Sequence, residues 1–292
     1  MSVRIGISGW KYAPWRGPFY PKGLVQKKEL SYASSKVSAI EINGTFYSLQ
    51  KPKSWQQWND ETPDDFKFTI KGGRYITHIR RLKDVRDPLA NFFASGMLAL
   101  GDKMGPFLWQ FPKNVMFKDD RWQEFFKLLP KDSDDMQLLA KKHTDKVDGR
   151  AITETQSSFA VHHALDLRHK SFYCQEFLDL CHEHNVALVL SDPSTVWQEN
   201  LEIPADFVYC RLHGHDEVFP NGYEDKDLKL WKKRIQAWQK GMGSSEGTPI
   251  YKGNDQHGRD VWVFFDNDQK ALAPQNAMSL IQMMEKRTRG AA

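Results

Sequence analysis

Cysteine is scarce in this chain: Cys174, Cys181 and Cys210 occur in 292 residues, and none stands in CxxC spacing. An odd, sparse set excludes a disulfide scaffold and a zinc ribbon and suits a reducing compartment. No apolar run approaches the roughly 18 residues of a membrane span. Met1 leads directly into an apolar strand, with no charged and then apolar leader before it. A cytoplasmic protein without membrane attachment is therefore expected. GxGxxG and P-loop patterns are missing, so no nucleotide cofactor is expected. There is no Pro/Gly/Ser linker, low-complexity tract or solenoid repeat, and residues 1–292 are expected to form one domain. Charge of one sign is not in excess either: the net value is +4, which permits a polyanionic ligand without arguing for one.

What the chain does have is structural repetition. Eight short apolar strands read VRIGISGW, SAIEINGTFY, FKFTIKG, GPFLWQFP, HHALDLRH, VALVLSD, FVYCRLHG and DVWVFFDN. Helical stretches separate them, around Lys27–Lys36, Pro52–Asn59, Pro88–Lys103, Asp120–Leu129, Asp227–Lys240 and Ala273–Lys286. A further helix after the fifth strand has Ser171 as its expected N-cap. No convincing helix follows the sixth strand, and segment 131–157 reads as a polar insertion with one or two helical turns. Strands alternating with helices mean parallel β/α units. Eight of them predict an α/β fold, a (β/α)8 TIM-type barrel with one degenerate repeat after strand 6. In that fold the active site lies at the C-terminal ends of the strands.

Side chains alternate across a strand, and in a barrel one set faces the axis. The apolar residues of strand 2 leave Glu41 and Asn43 on the axis side; strand 3 leaves Lys67, Thr69 and Lys71. Strand 4 contributes Gln110, strand 5 Asp166 and Arg168, and strand 7 Tyr209, Arg211 and His213. Strand 1 contributes Gly6, Ser8 and Trp10. Strands 6 and 8 are apolar on both sets, so the phase of Asp192, Asp266 and Asn267 is unreadable. Charges so placed must be paired and hydrogen-bonded, and a mutually satisfied plug of Glu41, Asp166, Lys71, Arg168 and Arg211 is one reading. The other is a ligand site. There His213 is the candidate proton carrier, with Glu41 or Asp166 beside it. Lys71, Arg168 and Arg211 are the candidate anion binders, and Asn43 and Gln110 would fix hydroxyls or carbonyls.

Several loop groups join these candidates. Trp10, Tyr12, Trp15, Phe46 and Tyr47 follow strands 1 and 2, where flat rings can stack on a sugar or a base or simply pack the loops. Tyr75, His78, Arg80, Arg81 and Lys83 make the loop after strand 3 basic, as a nucleic-acid backbone would want. Asp266, Asn267 and Asp268 precede the last helix, where capping is the plain role and substrate contact the alternative. No metal is expected, because the arginines and the lysine compete for the carboxylates. The cysteines read as core residues.

These same residues carry a family resemblance. GISGWKYAPWRGPFYP, EINGTFY, ITHIRRL, LWQFP, ALDLRHKSF, YCRLHG and FFDNDQKALAPQNA, in that order from Ile5 to Leu280, resemble the YecE-like family of unknown function. The resemblance implies a TIM-type barrel and no established activity. The chain departs from the family pattern at Asp166, where Glu is usual, and at Phe172, where Trp is usual. The shorter Asp166 carboxylate is withdrawn by a methylene.

Three readings of function follow. The first is a hydrolase or lyase acting on a phosphate-bearing substrate, nucleic acid or sugar phosphate. The second is a non-catalytic nucleic-acid-binding barrel. The third is a carbohydrate enzyme using Glu41 and Asp166 as its carboxylate pair, which requires a separation of about 5 Å or about 7–9 Å.

Overall fold

The computed structural model describes residues 1–117, 119–192, 201–214, 222–243, 250–251, 257–266 and 271–285. In chain order the elements are β1 (Val3–Ser8), α1 (Glu29–Ser34), β2 (Ala39–Ile42), α2 (Gly44–Tyr47), α3 (Pro52–Asp60), β3 (Lys67–Lys71), α4 (Arg86–Phe93), β4 (Met104–Gln110) and α5 (Asp119–Leu128). There follow α6 (Ser133–Ala140), β5 (His163–Asp166), α7 (Gln175–Glu183), β6 (Val186–Asp192), β7 (Phe207–Leu212), α8 (Asp225–Gln239), β8 (Asp260–Phe265) and α9 (Leu272–Glu285). The strands close into a parallel barrel in the order β1 to β8, the expected (β/α)8 architecture. Such strands are sandwiched on both faces, which is why they read as short runs of Val, Ile, Leu and Phe.

By backbone packing the chain forms two compact units, Met1–Glu41 with Ala187–Ala292, and Ile42–Val186; both boundaries fall inside strands. In the first unit β1 lies between β2 and β8, with Gly6 opposite Ala39 and Phe264. Gly6 is required there, since a Cβ would stand 2.0 Å from the Ala39 carbonyl oxygen. Helices α8 and α9 pack on each other and on β8, burying Trp231, Trp238 and Leu280. A reciprocal pair of hydrogen bonds between Glu224 and Asp227 caps the start of α8.

The second unit has an aromatic core. Trp122 of α5 is fully buried and meets Phe172 and Phe177 edge-on, at 5.0 and 5.6 Å between centroids. Edge-to-face contacts of this kind add about 0.5–1.5 kcal/mol each beyond burial. Phe172 thus packs as a buried ring between Trp122 and Phe177. His163 is a satisfied core histidine: Trp109 Nε1 donates to its Nδ1 at 3.1 Å, and its Nε2 bonds the Pro130 carbonyl at 2.8 Å.

The structure corrects three local expectations. The single helix expected over Pro88–Lys103 is broken: α4 ends at Phe93, Gly96 takes φ 119°, and the 3-10 turns over Met97–Lys103 are kinked at Gly101, with φ 52° and ψ −127°. Left-handed backbone is what glycine permits, and a Cβ at Gly96 would stand 2.8 Å from Pro52 Cα. Ser171 is not the N-cap of α7, which starts behind Cys174. His169 instead caps a short 3-10 turn, Lys170–Phe172, and Ser171 Oγ accepts from Phe117 N at 2.8 Å. Segment 131–157 carries the two helical turns expected of it as α6, whose N-cap Asp132 accepts from both Asp134 N and Asp135 N. Lys67 donates to the Asp102 carbonyl, at the N-terminal end of its strand rather than among the axis charges. As for the degenerate repeat, residues 193–200 lie outside the described residues, and 201–206 hold no helix.

Candidate functional site

In the first unit, alternation puts Ser8, Glu41, Tyr209 and Arg211 on one set of strand positions, and hydrogen bonds join them. Glu41 has no exposed surface. Its Oε1 accepts from Ser8 Oγ at 2.9 Å and from an Arg211 terminal nitrogen at 3.0 Å. Its Oε2 accepts from Tyr209 OH at 2.7 Å and Arg211 Nε at 3.1 Å. Arg211, 2% exposed, also donates to Asp266 Oδ2 at 2.7 Å. Two carboxylates therefore satisfy the buried guanidinium, and the Tyr209 and Ser8 hydroxyls donate to the buried Glu41 carboxylate, charges that would otherwise be costly.

The network reaches the solvent through His213. Its Nδ1 lies 3.1 Å from the same Asp266 Oδ2, and both side chains remain partly exposed. A carboxylate there assigns the ring proton to Nδ1 and leaves Nε2 as the acceptor, with an Arg211 terminal nitrogen 3.5 Å from it. The backbone carries this geometry: His213 N donates to the Asp192 carbonyl and Asp266 N to that of Leu212. Asp192, at the end of β6, accepts from Trp231 Nε1 at 3.4 Å, and burial raises its carboxyl above the ordinary range.

One expectation changes here: the acid beside His213 is Asp266, not Glu41 or Asp166. Asp266 meets Arg211 and His213; Asn267 and Asp268 lie outside the described residues. Arg211 gives its Nε and one terminal nitrogen to carboxylates, which favours its place in the plug over a place among the anion binders. Sequence alternation named Asp266 without its pairing to His213, because both sets of β8 are apolar; Asp266 follows Phe265, the register partner of Leu212 across the β7–β8 ladder.

In the second unit Gln110 and Asp166 are register partners at the ends of β4 and β5. Gln110 Nε2 donates to Asp166 Oδ2 at 2.6 Å, and an Arg168 terminal nitrogen stands 3.5 Å from that oxygen. Asp166 is 4% exposed, so its short carboxylate is an anchor for its neighbours. Lys71, at the end of β3, holds its ammonium 4.7 Å above the Phe46 ring. His78 meets Phe46 edge-on at 5.0 Å and shares a 2.9 Å hydrogen bond with Thr77 Oγ1. Its imidazole is held below the usual histidine range, first by burial and then by Lys71, Arg74, Arg168 and Arg81. Asn43 precedes α2, and its Oδ1 is buried without a hydrogen-bond partner among the described residues.

His78 stands on a π-helical turn, Tyr75–Ile79. After it Arg81, Leu82 and Asp84 all take positive φ, 49°, 67° and 50°, a conformation costly for residues other than glycine. Buried Leu82 and a hydrogen bond from Arg121 to the Arg81 carbonyl at 3.3 Å hold the loop. Of the rings after β1 and β2, Trp10 and Trp15 are buried, at 7% and 0% exposure. They pack the loop, which is the packing alternative of the two expected for these rings and not the stacking one. Tyr47 is 73% exposed.

A cavity of about 600 Å³ in this unit is lined by Asn59, Asp64, Gly101, Asp102, Lys103 and Glu154 among others. It lies at the N-terminal ends of β3 and β4, where barrels carry stability rather than chemistry. Among the described residues no three His, Cys, Asp or Glu side chains could hold a metal. No helix among them is long and apolar enough to cross a membrane. Cys181 and Cys210 are buried, and burial raises both thiols.

Comparison with known proteins agrees with the fold. A family model described as a protein of unknown function, DUF72, matches residues 4–292. YunF of Bacillus subtilis is 27% identical over 115 residues, 38% of this chain and 40% of that protein. YecE of Escherichia coli K12 is 30% identical over 110 residues, 38% of each. The matched segment thus spans about two fifths of these relatives. A DUF72 family protein from Thermotoga maritima superposes with a TM-score of 0.70 at 20% identity, covering 98% of this chain and 100% of that one. One from Enterococcus faecalis gives 0.65 at 15% identity, covering 97% and 95%.

Proposed function

The chain belongs to the DUF72 family of proteins of unknown function, and we propose that it is an enzyme, a hydrolase or lyase, acting on a phosphate-bearing substrate. The observation that carries this reading is the setting of Lys71 and His78 on one ring at the end of β3, with the Lys71 ammonium 4.7 Å above Phe46 and His78 edge-on to it at 5.0 Å. Burial and four cations, Lys71, Arg74, Arg168 and Arg81, disfavour the proton of His78. Like charges gathered at strand ends repel one another, and an anion bound among them relieves that repulsion. Lys71 and Arg168 stand at or just past the ends of β3 and β5, the position from which barrels hold phosphate and other substrate groups. Arg168 makes only a marginal 3.5 Å contact with Asp166, so its planar fork suits a phosphate oxygen pair.

The His213–Asp266 pair supports an enzyme over a mere binder, because a histidine oriented by a carboxylate has the form of a general base. The carbohydrate reading loses support. Glu41 accepts four hydrogen bonds and is fully buried, which leaves it unable to reach a glycosidic bond.

Calorimetric titration with inorganic phosphate tests the reading. Wild type should bind, with affinity falling as salt rises, and Lys71→Ala and Arg168→Ala should each weaken binding by about tenfold. No binding by wild type, or both variants binding as tightly as wild type, defeats it.

A further inference from the structure

Tyr47 ends α2, the short helix that follows β2, and presents most of its ring to solvent. The ring is braced: Phe46 meets it edge-on, with centroids 5.1 Å apart and planes at 89°. The same Phe46 carries the Lys71 ammonium on its face at 4.7 Å and meets His78 at 5.0 Å. One phenyl ring therefore joins an open aromatic face to the cations proposed to hold phosphate. An exposed tyrosine alone is ordinary surface. An exposed tyrosine locked against an anion-binding cluster is the arrangement that a planar base with its own phosphate requires.

We propose that Tyr47 and Lys71 form a nucleotide subsite: the base stacks on Tyr47, and its phosphate is held by Lys71 and the cations around His78. This rests on the phosphate reading above and names its substrate class. The neighbouring turn fits the same use. It exposes Tyr75 and Ile79, 45% and 58%, so apolar as well as basic surface borders the cluster. Inorganic phosphate would use the cations and leave Tyr47 idle, and a sugar phosphate offers the ring no planar base.

The test titrates the full chain with inorganic phosphate, ribose phosphate, adenosine monophosphate and a short single-stranded oligothymidylate. Wild type, Tyr47→Ala and Tyr47→Phe are compared. Adenosine monophosphate should bind about tenfold tighter than ribose phosphate. Tyr47→Ala should abolish that advantage and Tyr47→Phe keep it, while inorganic phosphate binds all three proteins equally. An oligonucleotide binding tighter than the mononucleotide, with the same dependence on Tyr47, assigns the base to a strand; equal or weaker binding assigns it to a free nucleotide. Equal affinity for adenosine monophosphate and ribose phosphate, or an advantage that survives Tyr47→Ala, overturns the subsite and leaves the phosphate reading standing. Failure of wild type to bind inorganic phosphate removes the phosphate reading and the subsite with it.

Discussion

His213 Nδ1 and Asp266 Oδ2 lie 3.1 Å apart, and that same oxygen takes a 2.7 Å hydrogen bond from Arg211. Asp266 is thereby fixed from below by a buried guanidinium and fixes in turn the imidazole above it. The expected consequence is a histidine with its neutral proton on Nδ1. Nitrogen NMR of the imidazole at alkaline pH reads this directly. Wild type should show the Nδ1–H tautomer, and Asp266→Ala should shift the population towards Nε2–H. An Nε2–H tautomer in wild type would remove the case for His213 as an oriented base.

Glu41 and Arg211 are the deeper half of the same network, at 0% and 2% exposure. Removing one partner of such a pair leaves a buried charge short of a counter-ion. Glu41→Ala should therefore cost about 3–5 kcal/mol, read from urea midpoints. The paired replacement Glu41→Leu with Arg211→Met should recover most of that loss, since apolar side chains of similar volume need no compensation. A double variant no more stable than Glu41→Ala would show that Ser8, Tyr209 and Asp266 need the ions themselves.

Much of this was legible before any coordinates. The period of two along the strands puts Ser8, Glu41, Tyr209 and Arg211 on the axis side, and the other three all bond Glu41. What the period cannot supply is distance across the chain. Glu41 and Arg211 are 170 positions apart, and nothing local announces that one guanidinium will take both Glu41 and Asp266. The pairing of Asp266 with His213 was hidden for a second reason, since β8 is apolar on both sides and shows no phase. Gly96 was missed because α4 and the 3-10 turn share one apolar pattern, and only the close approach of Pro52 forces the break. The His78 cluster was visible as a basic loop, but its π turn and its contact with Phe46 depend on tertiary packing.

Gly6 offers a test of the barrel seam. A methyl group there would press against the Ala39 carbonyl at 2.0 Å, and β1 is paired on both sides, with β2 and β8. Neither neighbour can retreat without breaking a ladder. Gly6→Ala should cost about 3 kcal/mol or more, a large effect for one methyl group, and thermal unfolding should show it as a clear fall in Tm. A variant as stable as wild type would mean that the two strands sit farther apart than described.

His163 makes stability depend on pH in a defined window. Burial holds its imidazole down to about 4, against an ordinary value of 6.5, with the Pro130 hydrogen bond only partly opposing. Between those values the unfolded chain binds a proton that the folded protein excludes. The contribution of this residue is thus complete above about pH 6.5 and is lost as pH falls towards 4, by about 3 kcal/mol in all. Urea unfolding of wild type and His163→Phe across this range isolates it from the carboxylates, which titrate in both. At neutral pH the variant should be less stable by about 1–3 kcal/mol, because the Trp109 N–H and the Pro130 carbonyl lose their partner. The gap should narrow, then close or reverse, as pH drops to 4. A gap that stays constant would mean that His163 takes up its proton in the folded state as readily as in the unfolded one.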